Sequence, residues 1–280
     1  RKDTSNIVEA ATLDTTSHNY TWQEFVIGDA GFSNALYDVW GTDENNVWAC
    51  GGLTIGGKFY GAMHWDGTDW TPDSTVGGSA IYGFAANDIW VAGGGIFHYD
   101  GQNWNDMLFV DPLFINNIPY TSIWGTSSSN LYLGNQWGKV IHWDGSKASV
   151  VSENTGMTLN DIDGINSNFI IGIGTDFTPP GLAIYFDGNI WSNYPFANNS
   201  YSLNSVSIIN TNDIYFGGDG IFETKRGSFS KLFDTGYYVR DLEYNRQTGL
   251  LVVTGAFDGL HIFNGSSWKN YKSFVSTDNS

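Results

Sequence analysis

The chain has a single cysteine, Cys50, among 280 residues, so no disulfide can form within it. It has twelve Lys and Arg against twenty-nine Asp and Glu, a net charge of −17. That shortage of cations argues against nucleic acid, whose phosphates need basic partners. No apolar run approaches the roughly 20 residues that carry a helix across a bilayer. Sustained helical periodicity is missing, so the chain does not read as a bundle. A P-loop, a zinc motif, a nucleophile elbow, a dinucleotide fingerprint and an EF-hand loop are all missing too. Prolines number only six, against thirty-five glycines and forty-five Phe, Tyr and Trp residues (18, 15 and 12). This is the composition of many tight turns between aromatic-rich strands.

What is present is a repeat. Val39-Trp-Gly-Thr42, Asn46-Val-Trp-Ala49 and His64-Trp-Asp-Gly67 return as Asp88-Ile-Trp-Val91 and His98-Tyr-Asp-Gly101. They return again as Ile123-Trp-Gly-Thr126, Asn130-Leu-Tyr-Leu133 and His142-Trp-Asp-Gly145. Trp48, Trp90 and Tyr132 are spaced 42 residues apart. Such a period means stacked units, none able to bury its apolar surface alone. Each unit reads as four short extended runs. The inner run carries an apolar residue at one slot: Val39, Ile81, Ile123, Ile162, Val206 and Leu242. The second run begins Val47-Trp48, Ile89-Trp90, Leu131-Tyr132, Phe169-Ile170, Ile214-Tyr215 and Leu251-Val252, with Asn46, Asp88, Asn130, Asn168 or Asp213 before five of them. The last two runs are joined by Asp-Gly or Asn-Gly at 66, 100, 144, 187 and 264, which predicts type I′ hairpins. Trp70, Trp104, Trp191 and Trp268 follow three residues after the glycine. The fifth repeat has Arg226-Gly227 instead.

Four strands in about 40–45 residues is the arithmetic of a propeller blade. The reading is an all-β, six-bladed β-propeller of four-stranded antiparallel blades. A polar linker covers 1–17, and one domain covers 18–280, with repeats beginning near 36, 78, 120, 159, 202 and 238. His18–Phe25 reads as an extra outer strand. The pattern resembles secreted bacterial propeller repeats of the type VWG…NDVWAVG…ILHYDGxxW over nearly the whole chain. It is distantly similar to the Asp-box hairpins of sialidase-like propellers. That motif separates Asp from Gly by one residue, whereas here they are adjacent, so no activity is carried over. The three arginines after Arg1, at 226, 240 and 246, sit in the last two repeats and do not form the central trio of sialidase chemistry.

Candidate sites follow from the placement. Cys50 occupies a small-residue slot with Ala92, Gly134, Gly172, Gly217 and Thr254, and reads as structural. His64, His98 and His142 share one slot in different blades, so they cannot ligate one metal together. His261 is shifted by one residue, to the other side of its strand. Asp38, Asp161 and Asp241 share an inner-strand slot and could hold Ca²⁺ near the axis through oxygen ligands; no other cofactor is implied. In a propeller the second-to-third-strand loops share a face with the connections between blades. On that face stand Tyr60, Trp137, Asp176, Phe177, Asp219, Phe257 and Asp258, together with the long insertion at 105–119 carrying Phe109, Asp111 and Phe114. Aromatics beside acids suit sugar rings or a protein surface.

The expectation is an exported, non-enzymatic propeller binding a glycan or a surface protein through this loop face. The resemblance and the start at Arg1 suggest an extracellular or cell-surface location, with a lipid anchor upstream of Arg1. Two alternatives are a self-assembling structural subunit of a cell-surface assembly and a carbohydrate-active enzyme.

Overall fold

The computed structural model describes residues 25–114, 119–153, 158–175, 182–194, 202–234, 238–255 and 259–271. It is a β-propeller of six four-stranded antiparallel blades. Blade one runs through Ala35–Asp43, Asn46–Ile55, Lys58–Trp65 and Trp70–Asp73. The inner strands of blades two to six are Ala80–Ala85, Tyr120–Ser127, Thr158–Asn166, Leu203–Asn210 and Val239–Asn245. Each pairs with the next strand in sequence, so every blade is a plain meander. Among the described residues the only helix is a 3-10 turn, Met107–Phe109, and no helix is long and apolar enough to cross a membrane.

Two faces follow from this topology. The first-to-second and third-to-fourth turns lie on one side, here called the turn face. The second-to-third loops and the connections between blades lie on the other, the loop face.

Packing happens between blades. Five apolar clusters bridge the five junctions from blade one to blade six. The inner-strand apolar slot is buried in blades two to six, where Ile81, Ile123, Ile162, Val206 and Leu242 are 2–7% exposed. Val39 is 61% exposed. A closed ring predicts that Val39 packs like its counterparts. It does not, because among the described residues no apolar cluster joins blade six to blade one. The ring therefore has a seam, beside which Leu36 and Tyr37 also stand exposed.

Polar clasps reinforce the same junctions. Asp38 Oδ2 accepts from Ile81 N (2.8 Å), Asp161 Oδ2 from Val206 N (2.8 Å) and Asp163 Oδ2 from Ile208 N (2.7 Å). Ser205 and Ser207 accept from Leu242 N and Tyr244 N in the same way. One step toward the loop face the direction reverses. Ser79, Thr121, Asn160 and Asn204 donate to the carbonyls of Tyr120, Leu159, Leu203 and Val239 on the next blade. These bonds satisfy backbone groups that no sheet ladder reaches.

The tryptophans after the Asp-Gly turns complete the junctions. Trp104 packs on Tyr99 of its own blade and edge-on to Trp48 of the preceding one (5.4 Å). Trp268 stacks on Phe263 and on Phe233 of blade five.

Three local readings need correction. The fourth repeat is out by one residue: Ile170-Ile171, not Phe169-Ile170, matches Val47-Trp48, since Ile171 pairs with Asp163 as Trp48 pairs with Trp40. Phe169 therefore takes the place of Asn46, and Ile173, not Gly172, that of Cys50. The Asp-Gly turns are not type I′. Only the glycine has positive φ (+92° at Gly67, +92° at Gly101), and the loop spans four residues closed by Asp66 N to Asp69 O. Asp66 Oδ1 accepts from both Thr68 N and Asp69 N, an Asx turn. The type I′ signature, positive φ at both centres, occurs at Arg226 (52°) and Gly227 (82°), the pair that departs from the repeat.

Candidate functional site

The repeated histidines are explained by the blade itself. His64 Nε2 donates to Asn46 Oδ1 (2.7 Å) and stacks on Trp48 (4.4 Å). His142 repeats this with Asn130 and Tyr132. His98 lies 2.9 Å from Asp88 Oδ1 and stacks on Trp90. Loss of solvent lowers the pKa of His64 and His142 from the usual histidine value. Blade four substitutes an apolar pair, Phe169 against Tyr185 at 5.1 Å. His261, on the other side of its strand, is buried and bonds Asn270 Oδ1 (2.7 Å). Cys50 is fully buried and its thiol is pushed up, chiefly by loss of solvent and then by Asp38. This is the opposite of a reactive cysteine.

The inner strands enclose an axial channel of two parts. The narrow part, about 140 Å³, lies toward the loop face and is lined by Tyr37, Ser122, Asn160, Asn204 and Arg240 among others. The wide part, about 720 Å³, lies toward the turn face. Asp38, Asp161, Asp241 and Ile123 line both, so they form the neck. Trp40, Tyr82 and Trp124 from blades one to three wall one half of the wide part. Asp163, Glu243 and Arg246 from blades four and six wall the other. The two indoles rest on glycines of the next blade: a Cβ on Gly83 would meet the Trp40 ring at 2.6 Å, and one on Gly164 would meet Trp124 at 2.6 Å.

Burial dominates the acids of this channel. It lifts Asp38 to about 7 and Asp163 to about 6 against the lowering pull of their backbone N–H donors. Asp161 is also raised, by loss of solvent first and the neighbouring Asp241 second. Glu243 rises to about 7, first from desolvation, then from Asp163 and Asp241. Tyr82 is raised to about 12, by desolvation and then by Asp163 and Glu243 across the channel.

The candidate calcium residues thus do meet at the neck. Two of them, Asp38 and Asp161, give both oxygens to backbone N–H groups. Among the described residues no group of three or more His, Cys, Asp or Glu is placed to hold a metal ion.

The loop-face candidates are more dispersed. Tyr60 lines a separate cavity of about 560 Å³ at the rim of blades one and two, with Lys58 Nζ 5.0 Å from its ring centre. Trp137 is 49% exposed on a turn held by Asn135, whose Oδ1 accepts from Trp137 N and Lys139 N. Asp219 Oδ2 accepts from Ser202 N in blade five. None of these three cavities is lined by more than one of Tyr60, Trp137 and Asp219. Asp176, Phe177, Phe257 and Asp258 lie outside the described residues. In the long insertion, Phe114 is buried in the junction of blades two and three, and Asp111 accepts from Ala148 N, so both are structural. Phe109 is exposed.

Sequence reasoning missed the aromatic–acidic division of the wide channel. Its signal was the Trp40 slot, which reads Trp, Tyr, Trp, Asp, Ser, Glu around the ring.

No protein family and no curated protein matches the chain. Solved propellers do. YCF48 bound to D1 peptide has a TM-score of 0.62 at 15% identity, covering 84% of this chain and 81% of that one. A GH74 enzyme from Niastella koreensis gives 0.64 at 12% identity, covering 84% of this chain and 46% of that one. The extracellular domain of a putative hybrid two-component system from B. thetaiotaomicron gives 0.64 at 11%, covering 91% and 35%. At these identities the likeness is one of fold. The chain spans less than half the length of the last two.

Proposed function

We propose that this is an exported, non-catalytic binding propeller whose ligand is a segment of another surface protein, engaged on the loop face. The observation that carries the reading is the exposure of Phe59 (64%), at the start of blade one's third strand beside its second-to-third-strand turn, and of Trp137 (49%), on the second-to-third-strand connection of blade three. Large aromatics held out on ordered turns are the side chains that anchor partners. The D1 peptide bound to YCF48 supports a peptide ligand for a propeller of this shape. Glycosidase chemistry, as a GH74 neighbour would suggest, needs two carboxyl groups free to move protons or attack. Of the five channel carboxyl groups, Asp38, Asp161 and Asp163 are each committed to two backbone N–H groups and Asp241 accepts from Ser205 Oγ, so four are already engaged. The test is an array of surface-protein peptides and glycans probed with the parent and with Phe59→Ala/Trp137→Ala. The reading expects a peptide hit that weakens at least tenfold in the double variant at unchanged melting temperature. Hits on glycans alone, or turnover of a polysaccharide, would overturn it.

The seam favours a second reading, a subunit of a surface assembly. Val39 and Leu36 stand exposed at slots where no other blade is exposed, with Tyr37 exposed beside them. Concentration-dependent sedimentation, abolished by Val39→Asp, is its expected sign; a monomer at all concentrations would remove it.

A further inference from the structure

The wide half of the axial channel is a second place where a ligand fits, on the face opposite Phe59 and Trp137, and its case does not rest on the reading above. It is divided by chemistry. Blades one to three give it Trp40, Tyr82 and Trp124; blades four and six give it Asp163, Asp241 and Glu243. Counting the neck, five carboxyl groups line it, with Arg246 as the one basic residue. Arg246 offsets them only in part: it lowers the pKa of Asp163 and of Glu243, but by less than loss of solvent raises it. Its Nη2 donates to the Ile208 carbonyl (2.5 Å), and among the described residues it makes no ion pair.

Two independent features point to an occupant. Trp40 and Trp124, seated on Gly83 and Gly164, and Tyr82 give the channel an aromatic wall. Such a wall suits an alkyl stem and attracts a cation over its faces. Just beyond the neck, in the lining of the narrow part, Ser122 is 3% exposed and its Oγ has no hydrogen-bond partner. It stands beside Asp38, Asp161 and Asp241 as part of the same lining. The equivalent Ser205 Oγ accepts from Leu242 N and donates to Asp241, so the slot is one where a hydroxyl is normally used. A buried polar group without a partner is rare and calls for one.

We infer that the wide channel binds a primary alkylammonium group, with its stem along Trp40, Tyr82 and Trp124 and its NH₃⁺ at the neck, donating to Ser122 Oγ and the axial carboxylates. A primary ammonium has three donors and a compact charge, matching an acceptor cluster at the end of an apolar tube. The raised pKa values of Asp161 and Glu243 fit this picture, since loss of solvent and neighbouring carboxyl groups act on both and, at Glu243, outweigh the pull of Arg246. A partner's lysine side chain and a free amine share this chemistry, and the cavity of about 720 Å³ admits either.

The test is calorimetric titration of the intact chain with n-butylammonium, with an acetylated, amidated Gly-Lys-Gly peptide, with tetramethylammonium and with 1-butanol. Expected are binding of at least one primary ammonium probe below about 1 mM, at least tenfold weaker binding of tetramethylammonium, and none of 1-butanol. Preference for the peptide would assign a protein-borne lysine, and preference for butylammonium a free amine; either supports the site. Glu243→Gln should weaken binding tenfold or more, and Ser122→Ala severalfold, with melting temperatures recorded for each. Arg246→Gln, which removes a competing positive charge while retaining a donor for Ile208, should strengthen it severalfold. Equal binding of butanol, tighter binding of tetramethylammonium, no binding of either primary probe at 10 mM, or indifference to Glu243→Gln and Arg246→Gln together would overturn the proposal.

Discussion

Asp38, Asp161 and Asp163 at the axis and Asp66, Asp100, Asp144 and Asp187 in the turns do the same formal job. Each accepts two backbone N–H groups. The axial residues use both oxygens, one for their own strand and one for the next blade. The turn residues use Oδ1 for both, at the second and third residues beyond. Their proton affinities move in opposite directions. The axial acids are raised, by loss of solvent that outweighs the hydrogen bonds. The turn acids are lowered, because the same bonds, preceded at Asp144 by one from the Ser146 hydroxyl, act in full contact with water. Hydrogen-bond count alone therefore does not tell how a carboxylate behaves; the surrounding solvent decides. It also shows why Asn can replace Asp in a turn, as at Asn264, which accepts from Ser266 N and Ser267 N. At the axis Asn would offer one oxygen and turn its NH₂ toward a second N–H.

The limiting case is a carboxylate given neither water nor donors. Ile123→Asp would place one in the packed junction of blades two and three. A loss of about 4 kcal/mol or more is expected, or failure to fold. Val39→Asp, at the same slot on the open seam, should change stability by no more than about 0.5 kcal/mol. Equal losses in urea melts would mean that the seam is packed in solution. Next in size is Asp161→Ala, which strands Val206 N and Ile162 N inside a junction. About 2–4 kcal/mol is expected. Asp144→Ala exposes its freed N–H groups to water and should cost distinctly less. A larger loss from Asp144→Ala would invert the comparison.

Much of this was legible in the sequence, for identifiable reasons. The blade count, inner strands and packed tryptophans follow from a repeat whose apolar slot recurs in every copy. The one-residue slip in blade four was not legible. Ile170, Ile171 and Ile173 are all fully buried, since a blade strand is covered on both faces. A continuous apolar run carries no alternation to fix register. The seam was hidden for a different reason: Val39 is the same kind of residue as Ile81, and only its neighbours differ. The axial acids were visible as a slot, but their commitment to the next blade's N–H groups is a relation between repeats. The loop face was chosen from loop composition. The division of the wide channel arises from which residue each blade contributes to a single slot, and only the ring assembles it.

The smallest expected effect is also the sharpest test of the contrast between axis and turn, because the two sets should give pH slopes of opposite sign. An axial acid with a folded pKa near 7 keeps its proton where the unfolded chain, near 3.8, has lost it. Between about pH 4 and 7 the folded state binds more protons, so Asp38 lowers stability as pH rises through that window. A turn acid is the reverse. Its folded pKa lies below 3.8, so its contribution is present above that value and is lost as pH falls. Asp38→Asn should reduce the decline in melting temperature from pH 4 to 7, although the bond mismatch lowers the whole curve. Asp66→Asn should leave the curve unchanged above pH 5, since Asn264 already shows the turn closing with an amide oxygen. Below pH 4 it should flatten the acid limb. Melting curves for the parent and both variants from pH 3 to 8 decide the matter. Parallel curves for Asp38→Asn and parent across pH 4–7 would show that the axial carboxylate is ionised and solvated, and would remove the distinction between axis and turn.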